Sequence, residues 1–368
     1  MEVAVLGAGN GGQATAADLT LRGHRVRLYD RYPEVTDPFA ATRRIVARGA
    51  VAGEAVVADV TNDLARAVDG AEVVLVSVPG FALEWMARAL APYLAEGQVV
   101  VLHPGGTGGA LETRRVWREA GAAASVVLAE TETLVYACRA RAPGAPEVTA
   151  VKRRVLLAAL PAANLPRALD AFSALYPQAV GAESVLTTSL ANMNAVVHPA
   201  TMLLNAGAIE GRSGGFDFYR DGVTPAVGAL LEALDDERTR IAQAFGAERW
   251  SYREWVRSRY GVEAETPADL FPRLAATAYL GIGAPGDLRH RYVSEDVPMA
   301  LVPMEELGRA AGVQTPTTSA LITLCGAMNG VDYRREGRTL ERLGLGGMTA
   351  DEIVEVAAGR EAAARAAG

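Results

Sequence analysis

The chain holds one lysine, Lys152, together with two cysteines and four histidines in 368 residues. Each scarcity excludes some chemistry. Cys138 and Cys325 lie far apart and form no CxxC pair, so neither a disulfide framework nor a zinc site is indicated, and no metal is expected. No apolar run is long enough to cross a bilayer, and the N-terminus enters a strand pattern without a basic stretch and cleavage site. A cytoplasmic protein with no membrane partner is the default expectation. No basic cluster offsets the formal net charge of -7, which argues against nucleic acid. The missing lysines follow from an arginine-rich composition, yet they restrict catalysis. A dehydrogenase that moves its proton with a lysine would have only Lys152, at the start of a strand pattern beside Arg153 and Arg154, an ill-suited place.

What is present reads as two domains. Half the residues are apolar and 21% are charged, as in globular proteins, and the length exceeds what one core accommodates. Val3–Leu6, Val26–Tyr29, a short stretch near Val56 and Val57, Val73–Val78, Val99–Leu102, Val126–Ala129 and Val151–Leu160 read as strands. Helical patterns separate several of them, which implies an α/β fold with a parallel, doubly wound Rossmann sheet over residues 1–183. From Val185 the pattern changes to long amphipathic stretches: Leu186–Ala208, Val223–Phe245 and Val302–Ala311. Residues 184–368 are therefore expected to form an all-α domain.

Gly7, Gly9 and Gly12 fit G-x-G-x-x-G between the first strand and the first helix. The first glycine allows the tight turn, the second lets the backbone approach a pyrophosphate, and the third lets helix and strand pack closely. Asn10 lies inside this loop, and the pyrophosphate would meet the positive end of the helix. Asp30 closes the second strand, where a carboxylate accepts hydrogen bonds from ribose hydroxyls and favours NAD(H). Arg31 beside it keeps NADP(H) open. Ligands bind beyond the carboxyl ends of parallel strands, which adds Val78 and Pro79 to the expected cofactor site and His103 to the expected substrate loop.

A dehydrogenase needs a proton donor or acceptor, and with lysine excluded His198 is the candidate. It lies in Asn192-Met193-Asn194-Ala195-Val196-Val197-His198-Pro199, with Asn194 one helical turn before it. Pro199 is expected to kink the helix and expose the imidazole. The alternative is a hydrogen-bonded core histidine. A second cluster, Arg289 to Pro298, joins arginines suited to clamp a carboxylate with acids able to orient a histidine.

These residues carry a resemblance. The glycine turn, His103-Pro104-Gly105 with Gly108-Gly109-Ala110-Leu111-Glu112, and Glu130-Thr131 through Tyr136-Ala137-Cys138-Arg139 resemble the first domain of the octopine/nopaline (opine) dehydrogenase family. Asn194–Pro199, Arg291–Pro298 and Gly337-Arg338-Thr339-Leu340-Glu341 with Leu343-Gly344-Leu345 resemble its helical second domain. His103 stands where the family more often has asparagine. The resemblance implies reductive condensation of an amino acid with a 2-oxo acid, hydride passing from the nicotinamide to an imine carbon. It implies His198 as proton shuttle, Asp296 as its acidic partner and Arg291 as the carboxylate ligand, with closure of the two domains. Small-molecule partners, an amino acid and a 2-oxo acid, follow from it. A homodimer through the helical domain fits the pattern. Two rivals stay open: a hydroxy-acid dehydrogenase of the same fold, and a non-catalytic nucleotide sensor. Tyr136, Trp255, Tyr279 and Met304 are offered as amine-pocket contacts, although such side chains are more often core.

Overall fold

Apolar runs without polar alternation demand strands covered on both faces, and Val73–Val76 and Val99–Leu102 are buried at every position. The structure, a computed structural model, describes residues 1–122, 125–212 and 215–360. The chain divides into two compact units, Met1–Gly105 with Glu112–Ala182, and Gly106–Leu111 with the chain from Glu183 on.

The first unit begins β1 (Glu2–Leu6), α1 (Asn10–Leu21), β2 (Arg25–Tyr29), α2 (Pro33–Ala40), β3 (Arg44–Gly49), β4 (Gly53–Val56), β5 (Asp59–Thr61) and α3 (Leu64–Val68). It continues through β6 (Val73–Val76), α4 (Leu83–Leu90), β7 (Val99–Leu102) and α5 (Gly109–Glu119), whose first turn starts in the other unit. β8 (Val127–Thr131), β9 (Tyr136–Ala142), β10 (Ala145–Val151), β11 (Val155–Leu160), α6 (Leu165–Leu175) and β12 (Ala179–Gly181) complete it. Eight strands form one sheet in the order β12-β11-β8-β7-β6-β1-β2-β5. The expectation of a wholly parallel sheet is corrected at one place: β11 runs antiparallel to β8. Parallel neighbours need a long crossover, usually a helix, whereas β8 and β11 are joined through the β9–β10 hairpin. That hairpin builds a second, four-stranded sheet, β4-β3-β10-β9. The strand expected near Val56 belongs to this small sheet, and β5 takes the third parallel place beside β2. The run Val151–Leu160 breaks at Lys152–Arg154 into β10 and β11.

The second unit is helical: α7 (Val185–Leu190), α8 (Asn194–Leu204), α9 (Ala206–Arg212), α10 (Pro225–Ala244), α11 (Tyr252–Tyr260), α12 (Pro267–Ala275) and α13 (Arg291–Ser294). One π-helical turn (Val297–Leu301) leads into α14 (Val302–Ala310), followed by α15 (Pro316–Asn329), α16 (Tyr333–Glu336) and α17 (Ala350–Ala357). The single helix expected over Leu186–Ala208 is three, because asparagines interrupt it. The Asn192 side-chain oxygen accepts the Asn194 N–H at the start of α8, and Asn205 closes the same helix. The expected boundary at residues 183 and 184 also shifts. Glu183 falls in the second unit, and so does Gly106–Leu111. Gly108 N–H donates to Ser189 Oγ at 2.9 Å, and the fully buried Arg338 donates from Nη1 to Thr107 O at 2.9 Å, which fastens the segment there. Among the described residues no helix is long and apolar enough to cross a membrane.

Candidate active site

The glycine turn of the first unit is shaped by sterics. Gly7 adopts φ +106° and donates its N–H to Tyr29 O at 2.8 Å. A Cβ on Gly7 would lie 2.4 Å from Ser77 O, and one on Gly12 only 1.7 Å from Gly7 O, so the fold itself requires both glycines. Gly9 is different: a Cβ there would meet nothing within 4 Å. This open backbone precedes α1, whose start carries no side-chain cap, leaving first-turn amides for an anion. The cradle fits a dinucleotide pyrophosphate.

Around it stand the other expected cofactor residues. Asp30 accepts the Ala8 N–H on Oδ2 at 2.8 Å and the Tyr32 N–H on Oδ1 at 3.1 Å, so the acid also braces the turn. Val78 and Pro79 follow β6, with Val78 Cγ1 against the Cβ position of Gly7. The Asn10 side-chain oxygen accepts the Ala140 N–H at 2.8 Å and ties β9 to α1, so Asn10 serves the hairpin with its carboxamide oxygen. Arg31 is exposed, its guanidinium 4.1 Å from the Trp85 ring centroid and 4.8 Å from that of Tyr32.

His103 is held inside the first unit. It is fully buried, with Nδ1 3.0 Å from Thr131 Oγ1 and its ring stacked on Tyr176 at 5.6 Å. Burial, aided by the Lys152 charge, pushes its pKa down to about 3, so the imidazole is neutral. Lys152, also buried, donates from Nζ to Leu134 O at 2.8 Å and Tyr136 O at 3.2 Å, a structural place as expected from its surroundings. Tyr136 is core too, bonded to Asp18 and Tyr176.

The second unit brings together His198, Asp296 and Tyr219. His198, on α8, places Nδ1 2.7 Å from Asp296 Oδ2 and Nε2 2.9 Å from Tyr219 Oη. A carboxylate only accepts, which assigns the proton to Nδ1 and the lone pair to Nε2, where the Tyr219 hydroxyl donates. Tyr292 stacks on the imidazole with centroids 3.8 Å apart. Asp296 sits where α13 ends and the π-helical turn begins, an irregularity that aims the carboxylate at a residue 98 positions away. The expectation that Pro199 exposes His198 is corrected: α8 runs on through Pro199, and His198 is 9% exposed because these aromatic rings cover it. Arg291 opens α13 with its side chain 49% exposed and Nε 3.1 Å from Glu295 Oε2. Asn194 is exposed at the first position of α8, one turn from His198.

Sequence reasoning missed Tyr219 and the packing role of Tyr292. The aromatic run Phe216-Asp217-Phe218-Tyr219 ahead of α10 was the available signal. Burial, then the neighbouring phenols of Tyr292 and Tyr279, push the Tyr219 hydroxyl well above its ordinary pKa, so it stays a donor. Tyr279 packs 4.6 Å from Tyr219, while Trp255 and Met304 lie in the core. Among the described residues no group of three or more His, Cys, Asp or Glu could hold a metal.

The chain is 43% identical over 356 residues to the opine dehydrogenase of Arthrobacter sp. (strain 1C), covering 95% of this chain and 97% of that one. It belongs to the opine dehydrogenase family. Residues 181–329 match the family described as NAD/NADP octopine/nopaline dehydrogenase, alpha-helical domain, and residues 2–120 match the NAD-dependent glycerol-3-phosphate dehydrogenase N-terminus. Vitopine synthase of Allorhizobium ampelinum is 30% identical over 80% of each chain. The fold is that of octopine dehydrogenase solved with NADH and agmatine (TM-score 0.77, 23% identity, 98% of both chains). It is equally that of NADP+-bound yersinopine dehydrogenase (TM-score 0.73, 19% identity, 97% and 98%). This member of the opine dehydrogenase family is an NAD(P)-dependent oxidoreductase.

Proposed function

We propose that the chain condenses an L-amino acid with a 2-oxo acid such as pyruvate, using NAD(P)H, to an N-(carboxyalkyl) amino acid, and catalyses the reverse oxidation. The observation that carries this reading is the pairing of His198 Nδ1 with Asp296 at 2.7 Å, which leaves Nε2 as the proton-accepting atom. Forming the imine needs a base first and an acid next: the amino group must lose a proton to attack the carbonyl, and the hydroxyl must gain one to leave as water. His198 Nε2 takes the first proton and returns one in the second step. Asp296 holds the tautomer and stabilises the imidazolium between those steps. Tyr219, already hydrogen-bonded to Nε2, positions the ring for both. Arg291, half exposed, pairs its guanidinium with the oxo-acid carboxylate, and Asn194 offers an amide on the same stripe of α8 as His198. Gly7, Gly9 and Gly12 with the start of α1 hold the dinucleotide, Asp30 its ribose, and Val78 and Pro79 wall the turn. Bound there, the nicotinamide supplies the hydride that reduces the C=N bond.

The test is a matrix of amino acids against pyruvate, oxaloacetate and 2-oxoglutarate, read as NADH or NADPH oxidation. Oxidation should require both partners. Turnover with a 2-oxo acid and no amine would instead establish a hydroxy-acid dehydrogenase.

A further inference from the structure

The proposed condensation has a proton to account for. An ammonium, a ketone, one hydride and one proton give a secondary ammonium and one water, so each turnover draws a proton from solution. His198 passes it on, yet its ring is buried. Asp296 holds Nδ1 at 2.7 Å, Tyr292 covers one face with centroids 3.8 Å apart, and Tyr219 Oη meets Nε2 at 2.9 Å. Further phenols adjoin that contact. The Tyr219 hydroxyl, its own proton committed to Nε2, takes the Tyr292 hydroxyl as its donor. The Tyr279 hydroxyl bonds to those of Tyr252 and Tyr260, and the Tyr279 ring packs 4.6 Å from that of Tyr219. Tyr219, Tyr292 and Tyr252 are buried, whereas Tyr260 and Tyr279 are half-buried. Five of the eleven tyrosines thus gather between one histidine nitrogen and solvent, where packing alone would be served as well by phenylalanine.

We infer that these phenols form a proton relay that recharges His198: protons enter at Tyr260 and Tyr279 and reach Nε2 through Tyr219. In the last step the Tyr219 O–H bond breaks as an Nε2–H bond forms, and the Tyr219 oxygen takes a proton from the next hydroxyl in the same movement. Each phenol ends as it began, and His198 gains one positive charge, which faces Asp296. In the oxidative direction the relay runs outward. No phenolate is needed, which suits groups that resist ionisation. Burial, then the neighbouring phenols, holds the Tyr219 hydroxyl well above its ordinary pKa; burial does the same to Tyr252 and pushes Tyr279 up to about 12. Such hydroxyls move a proton by passing one on while accepting another, as hydrogen bonds in a chain polarise one another. Phe271 stacks on Tyr219 and Phe218 meets it edge-on, so the phenol is fixed against the imidazole.

The relay rests on His198 as the proton shuttle of the proposed reaction, and the experiment separates the two. Tyr219→Phe and Tyr279→Phe each keep the ring and lose the hydroxyl. Steady-state kcat is measured in H2O and in D2O over rising imidazole, with calorimetric NADH affinity and melting temperature as checks that the fold is kept. Tyr219→Phe should lower kcat on the order of ten- to a hundred-fold, within what a positioned proton transfer contributes. Its solvent isotope effect should grow, and imidazole, a small proton carrier, should restore part of the rate. Tyr279→Phe should show the same pattern with a smaller loss. Wild-type kcat in either variant would overturn the relay, since Nε2 would then exchange protons without it. A loss that imidazole does not relieve, with the isotope effect unchanged, would overturn it as well, leaving the phenols as props for the ring. Oxidation of NADH by an oxo acid without amine would reject the condensation and not the relay. Carbonyl reduction also consumes one proton per hydride, and the same two variants decide it.

Discussion

Replacing Asp296 by asparagine keeps shape and volume but removes the charge that faces His198 Nδ1 at 2.7 Å. Both side chains are 11% exposed, so water screens the pair weakly. Two unit charges about 4 Å apart at an effective dielectric near 20 attract by about 4 kcal/mol, which is a ceiling for what the carboxylate gives the imidazolium. The amide dipole of asparagine recovers part of this, and the lost charge no longer has to be desolvated. A net loss of about 2–3 kcal/mol remains, or roughly a hundred-fold in rate at 1.36 kcal/mol per factor of ten. The loss should fall on kcat, since the imidazolium forms only during the reaction, while calorimetric NADH affinity and the melting temperature stay near wild type. The assay is steady-state reduction with the best amino acid and oxo-acid pair from the substrate matrix. Turnover within three-fold of wild type would refute the role of the pair.

Further outcomes follow from the first unit. His103, neutral when folded with a pKa near 3, takes up a proton near 6.5 when unfolded. Unfolding therefore binds a proton between those values, and stability falls as pH drops below about 6.5, by on the order of 1.4 kcal/mol per unit. Urea unfolding of His103→Asn should show that extra acid-side slope removed, and an unchanged slope would contradict the burial argument. Gly12→Ala puts a Cβ 1.7 Å from Gly7 O, so calorimetry should find NADH and NADPH binding abolished, and wild-type affinity would show that the turn tolerates the methyl. Lys152→Met strips the Leu134 and Tyr136 carbonyls of a buried donor and should cost about 1–3 kcal/mol in chemical denaturation, with kcat unchanged per folded molecule. A collapse of kcat there would mean that the lone lysine takes part in the chemistry.

What was legible in the sequence was local. β1, the glycine turn and α1 are contiguous, and the clash that requires Gly12 is with Gly7 O in the same turn, whereas the one that requires Gly7 is with Ser77 O, from the end of another strand. β9 escaped notice because Tyr136–Ala142 carries two arginines and little periodicity; it becomes a strand by pairing with β10, and β10 by pairing with β3, far away in sequence. The surroundings of His103 were hidden for a related reason. Its place after β7 marks a ligand loop, but the aromatic rings of Phe172 and Tyr176, from the end of the unit, close over it. His198 and Asp296 could be joined beforehand only through the family resemblance, since no spacing rule spans the 98 residues between them. Tyr219 offered only its place in a short aromatic run, because its contact with His198 comes from a loop folding back on α8.

Gly106–Leu111 belongs with residues that begin more than 70 positions later, so the helical unit is not a continuous piece of polypeptide. A gene cut between residues 182 and 183 would deliver two fragments, neither of them a natural part. The C-terminal fragment would lack Thr107 and Gly108, leaving Ser189 Oγ without the Gly108 amide and the interior guanidinium of Arg338 without the Thr107 carbonyl. The N-terminal fragment would carry six residues whose partners had been removed. Exchanging helical units between relatives therefore calls for transplanting this short segment along with the helices, a two-piece graft instead of a single splice.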